Sequence, residues 1–135
     1  MNEHSFARKI ITKCRSDLPL VWKVNDNHAG GVPDALLIGP EQVVWVEFKF
    51  TQSLPKRDQT IVKAELTRLQ ISWFRKLKEV NQTAVAVLGT PKEAYVFTSM
   101  KDIENGMPKK DLPVPFTHTD LITYLCNLAT VKQGQ

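Results

Sequence analysis

The chain has 135 residues, 42% of them hydrophobic, enough for one domain with a core and too few to expect two. Lys and Arg outnumber Asp and Glu by 18 to 14, a formal net charge of +4, which favours a polyanionic partner. No apolar run approaches the roughly 20 residues of a bilayer span, and MNEHSFARK lacks the apolar stretch of a signal peptide, so a soluble, cytoplasmic protein without membrane partners is expected. Cys14 and Cys126 match no CxxC or zinc-ligand spacing and each lies among apolar neighbours in a predicted helix, so they read as buried free thiols in a reducing compartment.

In chain order, Phe6, Ile10 and Cys14 recur at helical spacing with Ala7 and Ile11 beside them, predicting a first helix over residues 3–15. LPLVWKV (18–24) alternates as a strand and runs into the turn-forming NDNHAGG. PDALLIG (33–39) and VVWVEFKF (43–50) are apolar runs separated by three residues, which predicts a β-hairpin. Residues 51–66 break the pattern and read as a long loop of the kind that is often functional in a small domain.

Leu69, Trp73, Leu77 and Val80 then predict a second helix over about 68–80, opened by a capping box in which Thr67 and Gln70 each satisfy an unpaired backbone N–H. TAVAVLG and EAYVF, joined by Thr90, Pro91 and Lys92, predict a second hairpin. DIENGMPKKDLPVPF reads as a proline-containing loop, and Leu121, Leu125 and Leu128, with Ile122 and Ala129, as the core stripe of a closing helix near 119–129. The motif-bearing part of the single domain lies at about 20–90, followed by the loop and helix at about 104–130.

The chemistry concentrates in VVWVEFKF. A two-residue period puts Trp45, Glu47 and Lys49 on one face and Val44, Val46, Phe48 and Phe50 on the other. Burying a carboxylate and an ammonium in so apolar a strand without partners costs several kcal/mol, about the scale of a dry unpaired ion, so these residues are expected to line a cleft or hold a cation. Asp34 enters the preceding strand just after Gly30 and Gly31, and pairing the strands brings it beside Glu47. Two adjacent carboxylates repel unless one is protonated or a cation lies between them, and oxygen ligands point to Mg²⁺ or Mn²⁺. The plainer alternative is a surface ion pair of Glu47 with Lys49, Asp34 merely ending a turn.

Pro33-Asp34 followed by Glu47-Phe48-Lys49 in an apolar strand resembles the PD-(D/E)XK nuclease superfamily of restriction endonucleases, Holliday-junction resolvases and repair nucleases. More narrowly, GGVPDALLI, WVEFK and a helix-opening LTRLQ look like the virus-type replication-repair nuclease (VRR-NUC) branch, over roughly residues 20–90. The resemblance implies an α/β fold with an αβββαβ core, a mixed sheet flanked by helices, and the site on the second and third strands. It implies metal ligation by Asp34, Glu47 and the Phe48 backbone carbonyl, with Lys49 orienting or activating the attacking water. The implied activity is phosphodiester hydrolysis in DNA during replication, repair or recombination, in a bacterial or phage-infected cell. Flap, junction and single-strand cutters share the motif, and junction resolution would require a homodimer.

Other residues carry two readings each. Gln70 is explained by the capping box, and in the resembled family the corresponding glutamine also approaches the active site. Glu3 either complements the first helix dipole or, as in related nucleases, adds an acidic group to the metal site. His28 is a loop histidine or a phosphate contact. Lys56, Arg57, Lys63 and Arg68 are solvated charge or a nucleic-acid-binding surface. The rivals to a nuclease are an inactive nucleic-acid-binding module of the same fold and a structural subunit of a replication or repair complex.

Overall fold

The computed structural model describes residues 1–24 and 30–131. Its first helix, α1 (Glu3–Asp17), begins at Asn2, whose side chain accepts the Ser5 backbone N–H while Ser5 Oγ accepts that of Asn2, a capping box that settles where the helix starts. One stripe of it, Phe6, Ile10, Ile11 and Cys14, is buried.

Strands β1 (Leu20–Lys23), β2 (Ala35–Ile38) and β3 (Val43–Phe50) form an antiparallel meander. The short β4 (Ile61–Val62) and helix α2 (Arg68–Glu79) lead to β5 (Thr83–Gly89), which runs parallel to β3, and β6 (Glu93–Phe97) returns antiparallel as the expected second hairpin. The αβββαβ order is therefore present with β4 inserted before α2, and the principal sheet is mixed, in the order β1-β2-β3-β5-β6-β8, where β8 is the short strand Phe116–Thr117.

Helices cover both faces of this sheet. α1 and the closing helix α4 (His118–Thr130) lie on one, over a core of Phe6, Ile10, Leu37, Val44, Val46, Phe48, Leu121 and Leu125. α2 and α3 (Met100–Asn105) lie on the other, with Phe74, Leu77, Ala86, Tyr95, Phe97 and Ile103. The alternation read in β3 holds: Val44, Val46 and Phe48 are fully buried in the first core, and Trp45 packs against the second. No helix among the described residues is long and apolar enough to cross a membrane.

Both thiols are free and buried, as expected. Cys14 and Cys126 meet across the packing of α1 on α4, and the Cys14 thiol is pushed far above its usual range by its hydrogen bond to Cys126 and by burial.

Three sequence expectations are corrected. The stretch after residue 101 is not an irregular loop: it holds the end of α3, β7 (Met107–Pro108), a 3₁₀ turn (Lys109–Asp111) and β8 (Phe116–Thr117). The loop at 51–66 contains β4, which pairs with β7 in a separate two-stranded sheet. Both pairings are long-range and too short to leave a periodicity in the sequence. The buried stripe of α2 is Phe74 and Leu77, whereas Leu69 and Val80 are 58% and 66% exposed: the buried face runs through Phe74, one residue on from Trp73, and Val80 stands at the C-cap, past the last helical residue.

Candidate active site

The register of the β2–β3 pair builds the site. Ala35 stands opposite Val46, so continuing the ladder by one residue sets Asp34 opposite Glu47, on the same face of the sheet. Asp34 Oδ2 accepts the Phe48 backbone N–H at 2.9 Å, and the Asp34 carbonyl accepts the Val24 N–H at 2.8 Å, which fix the carboxylate at the mouth of the strand pair.

Glu47 is only 2% exposed. Its Oε2 accepts a hydrogen bond from Gln70 Nε2 at 2.9 Å and lies 3.8 Å from Lys49 Nζ. Its Oε1 is buried with no hydrogen-bond partner, an unusual state for a carboxylate oxygen in a folded protein. Burial first, and then the charge of Asp34, push the Glu47 carboxyl up to about 8, with Glu3 adding to the shift and Lys49 opposing it. Burial also raises Asp34, against the lowering effect of the Phe48 N–H and of Lys49. The repulsion anticipated from the sequence is thus present, and it raises the more deeply buried Glu47 most.

Gln70 makes two side-chain contacts. Its Oε1 accepts the Thr67 backbone N–H at 2.9 Å, closing the capping box, while its Nε2 reaches Glu47. The start of α2 is held against the motif loop by Trp73, whose indole N–H donates to the Gly30 carbonyl at 3.0 Å. Gly31 must be glycine there, since its φ is 79° and an added Cβ would sit 2.6 Å from the Leu69 backbone.

Beside Lys49 opens a cleft of about 590 Å³, lined by Glu3, Lys49, Thr51, Leu54, Ile61 and Lys63 among others. Glu3 thus faces the site, near enough to repel Glu47. Among the described residues, no three His, Cys, Asp or Glu side chains gather as a metal-binding group. Lys56 and Arg57 are exposed on the loop that borders the cleft, and Lys63 is exposed on its wall. Arg68 is exposed in a different groove, with Ile71, Ser72, Arg75 and Glu104. His28 lies outside the described residues. Thr51 and Ser53, which line the cleft and were not singled out, carried no signal in the sequence, because isolated hydroxyls in a loop are common.

The donor set fits a hard divalent cation. Asp34 and the unpartnered Oε1 of Glu47 offer oxygen, Lys49 and Gln70 occupy the opposite oxygen of Glu47, and no sulfur or imidazole of the described residues joins them.

This arrangement is an α/β fold, a mixed sheet flanked by helices, with a carboxylate pair and a lysine at the junction of its second and third strands. No protein-family model and no curated protein matches the sequence. Among solved structures, the chain is similar to Hjc from Archaeoglobus fulgidus, a Holliday junction resolvase from an archaeal hyperthermophile, with a TM-score of 0.59 and 13% identity over 90% of this chain and 98% of that one. A likeness at that identity is one of backbone and shows the shared fold.

Proposed function

We propose that the protein is a divalent-metal-dependent endonuclease that hydrolyses phosphodiester bonds in DNA of branched or otherwise distinctive structure, acting in replication, repair or recombination. The observation that carries this reading is the state of Glu47: a buried carboxylate facing a second carboxylate, with one oxygen held by Gln70 and Lys49 and the other without a partner. A buried acid kept only for the fold would have both oxygens satisfied.

Asp34, Glu47 and the Phe48 backbone carbonyl would hold Mg²⁺ or Mn²⁺. When bound, such a cation supplies Lewis acidity, lowering the pKa of water and offsetting the charge that grows on the scissile phosphate. Lys49 adds a fixed positive charge at the edge of the cleft, where it can orient the attacking water or stabilise the phosphate. Gln70 keeps the Glu47 side chain in one rotamer. Glu3 tunes the site electrostatically. Lys56, Arg57 and Lys63 contact backbone phosphates, with Arg68 further out; His28 is a further candidate for the same role.

The virus-type replication-repair branch is the finer assignment we favour. GGVPDALLI, WVEFK and LTRLQ converge on one site, Gly31 against Leu69 and Glu47 against Gln70, so the three segments that carry the resemblance work together. The backbone likeness to a junction resolvase makes branched DNA the first substrate to try, and symmetric cutting of a junction would take two sites, hence a homodimer.

The test is incubation of the purified protein with labelled single-strand, duplex, flap and four-way-junction DNA in Mg²⁺, Mn²⁺ or EDTA. Cleavage in metal and none in EDTA is expected. Binding without cleavage under every metal condition would make the protein an inactive module of the same fold.

A further inference from the structure

Two loops far apart in the sequence meet at the cleft. β4 pairs antiparallel with β7, Ile61 opposite Pro108 and Val62 opposite Met107. The pairing continues beyond the strand ends, where Lys109 donates its backbone N–H to the Thr60 carbonyl and Lys110 to that of Asp58, both at 2.9 Å. Gly106 permits the approach: its φ is 70°, and a Cβ there would lie 2.3 Å from the Val62 carbonyl oxygen. The turn bearing Lys56 and Arg57, closed by the Thr60 N–H on the Arg57 carbonyl, is thereby clamped to the turn bearing Lys109 and Lys110.

The position and charge of this arm are specific. Pro55 and Ile61 both line the cleft beside Lys49, so the turn between them stands at its rim. Segments 51–66 and 106–115 together hold five basic and three acidic residues, half of the chain's formal net charge of +4 in about a fifth of its length. Lys56, Arg57 and Lys110 are exposed, Lys109 is half-buried, and none of them belongs to either hydrophobic core.

We infer that the β4–β7 arm is a phosphate clamp for the DNA backbone flanking the scissile bond, and that Lys109 and Lys110 share in it with Lys56 and Arg57. This rests on the nuclease reading and adds to it a binding element assembled only by the fold. Phosphate contacts through lysine and arginine release counterions and read no bases, so the arm contributes affinity and register without sequence preference.

The experiment is fluorescence anisotropy of a labelled four-way junction and a labelled duplex in EDTA, titrated with the full chain over a series of KCl concentrations. Three double variants are compared with wild type: Lys109→Ala with Lys110→Ala, Lys109→Arg with Lys110→Arg, and, as a control of equal charge on the exposed face of α1, Arg8→Ala with Lys13→Ala. The alanine pair on the arm is expected to weaken binding about tenfold and to flatten the slope of log K against log salt by about 1 to 2, since each phosphate contact contributes about 0.9. The arginine pair should retain wild-type affinity, and the α1 control should keep the wild-type slope. A wild-type slope and affinity in the arm alanine pair, or an equal loss in the α1 control, overturns the clamp while leaving the nuclease reading standing. Failure of wild type to bind any DNA overturns both, and is seen before any variant is compared.

Discussion

Gln70 bridges the start of α2 and strand β3: its carbonyl oxygen accepts the Thr67 N–H at 2.9 Å and its amide nitrogen donates to Glu47 Oε2 at 2.9 Å. One side chain thus couples a helix cap to the orientation of a buried carboxylate. The two roles separate by substitution. Gln70→Glu keeps the oxygen that caps the helix but sets a carboxylate against Glu47, so helix content by circular dichroism should match wild type while cleavage falls about tenfold, the worth of a hydrogen bond to a charged group. Gln70→Ala loses both and should cost about 1 kcal/mol of stability as well. Equal activity of Gln70→Glu and wild type would reduce this residue to a cap.

Asp34→Asn, Glu47→Gln and Lys49→Ala are each expected to lower cleavage by about a hundredfold or more, the scale of losing a group that stabilises charge in the transition state. Asp34→Asn retains an oxygen for the Phe48 N–H, so its circular dichroism should match wild type. Wild-type rates in any two of the three would remove the assignment.

The raised Glu47 carboxyl should make the metal-free protein sensitive to pH. Its carboxyl stands at about 8 in the folded chain against an ordinary 4.5, so between these values the folded state holds a proton that the unfolded state has released. Stability in EDTA is therefore full below about pH 4.5 and declines as pH rises through about 8. Asp34, also raised, adds to the slope in the same direction. Urea midpoints measured across this window should fall with pH in wild type and much less in Glu47→Gln. A midpoint rising with pH in wild type would contradict the buried geometry of Glu47.

Divalent metal should reverse that decline, because it binds the ionised pair and stabilises the folded state by mass action. Adding Mg²⁺ or Mn²⁺ near neutral pH is expected to raise the Tm of wild type. Glu47→Gln, which removes the repulsion and a ligand charge together, should be at least as stable as wild type without metal and gain much less from it. Equal gains in both proteins would place the cation elsewhere.

Gly31→Ala tests whether the motif loop and α2 must touch. With φ at 79° and the Leu69 backbone 2.6 Å from the new Cβ, the substitution is strained twice over and should destabilise the fold by about 1–3 kcal/mol. Displacing α2 also moves Gln70 from Glu47, so activity should fall with stability. A neutral effect on Tm would mean the loop can relax without the helix.

Features that depend on local period and near neighbours were legible in the chain alone. The alternation of VVWVEFKF separated Glu47 and Lys49 from the core side of β3, the short gap before it made a hairpin with β2 that delivered Asp34, and Thr67-x-x-Gln70 announced the start of α2; each of these is a rule of spacing within a few residues. Only the tertiary structure decided that Gln70 would reach Glu47, that one oxygen of Glu47 would be left without a partner, and that Glu3 would face the same cleft. It alone brought residues 106–111 against 57–62, and it turned Leu69 and Val80 outward from a helix whose period had marked them for the core. These depend on which line of a helix meets the sheet and on pairings of two residues between distant segments, and neither leaves a repeating pattern in the chain, because the free energy that selects them is gained only once the elements are packed together.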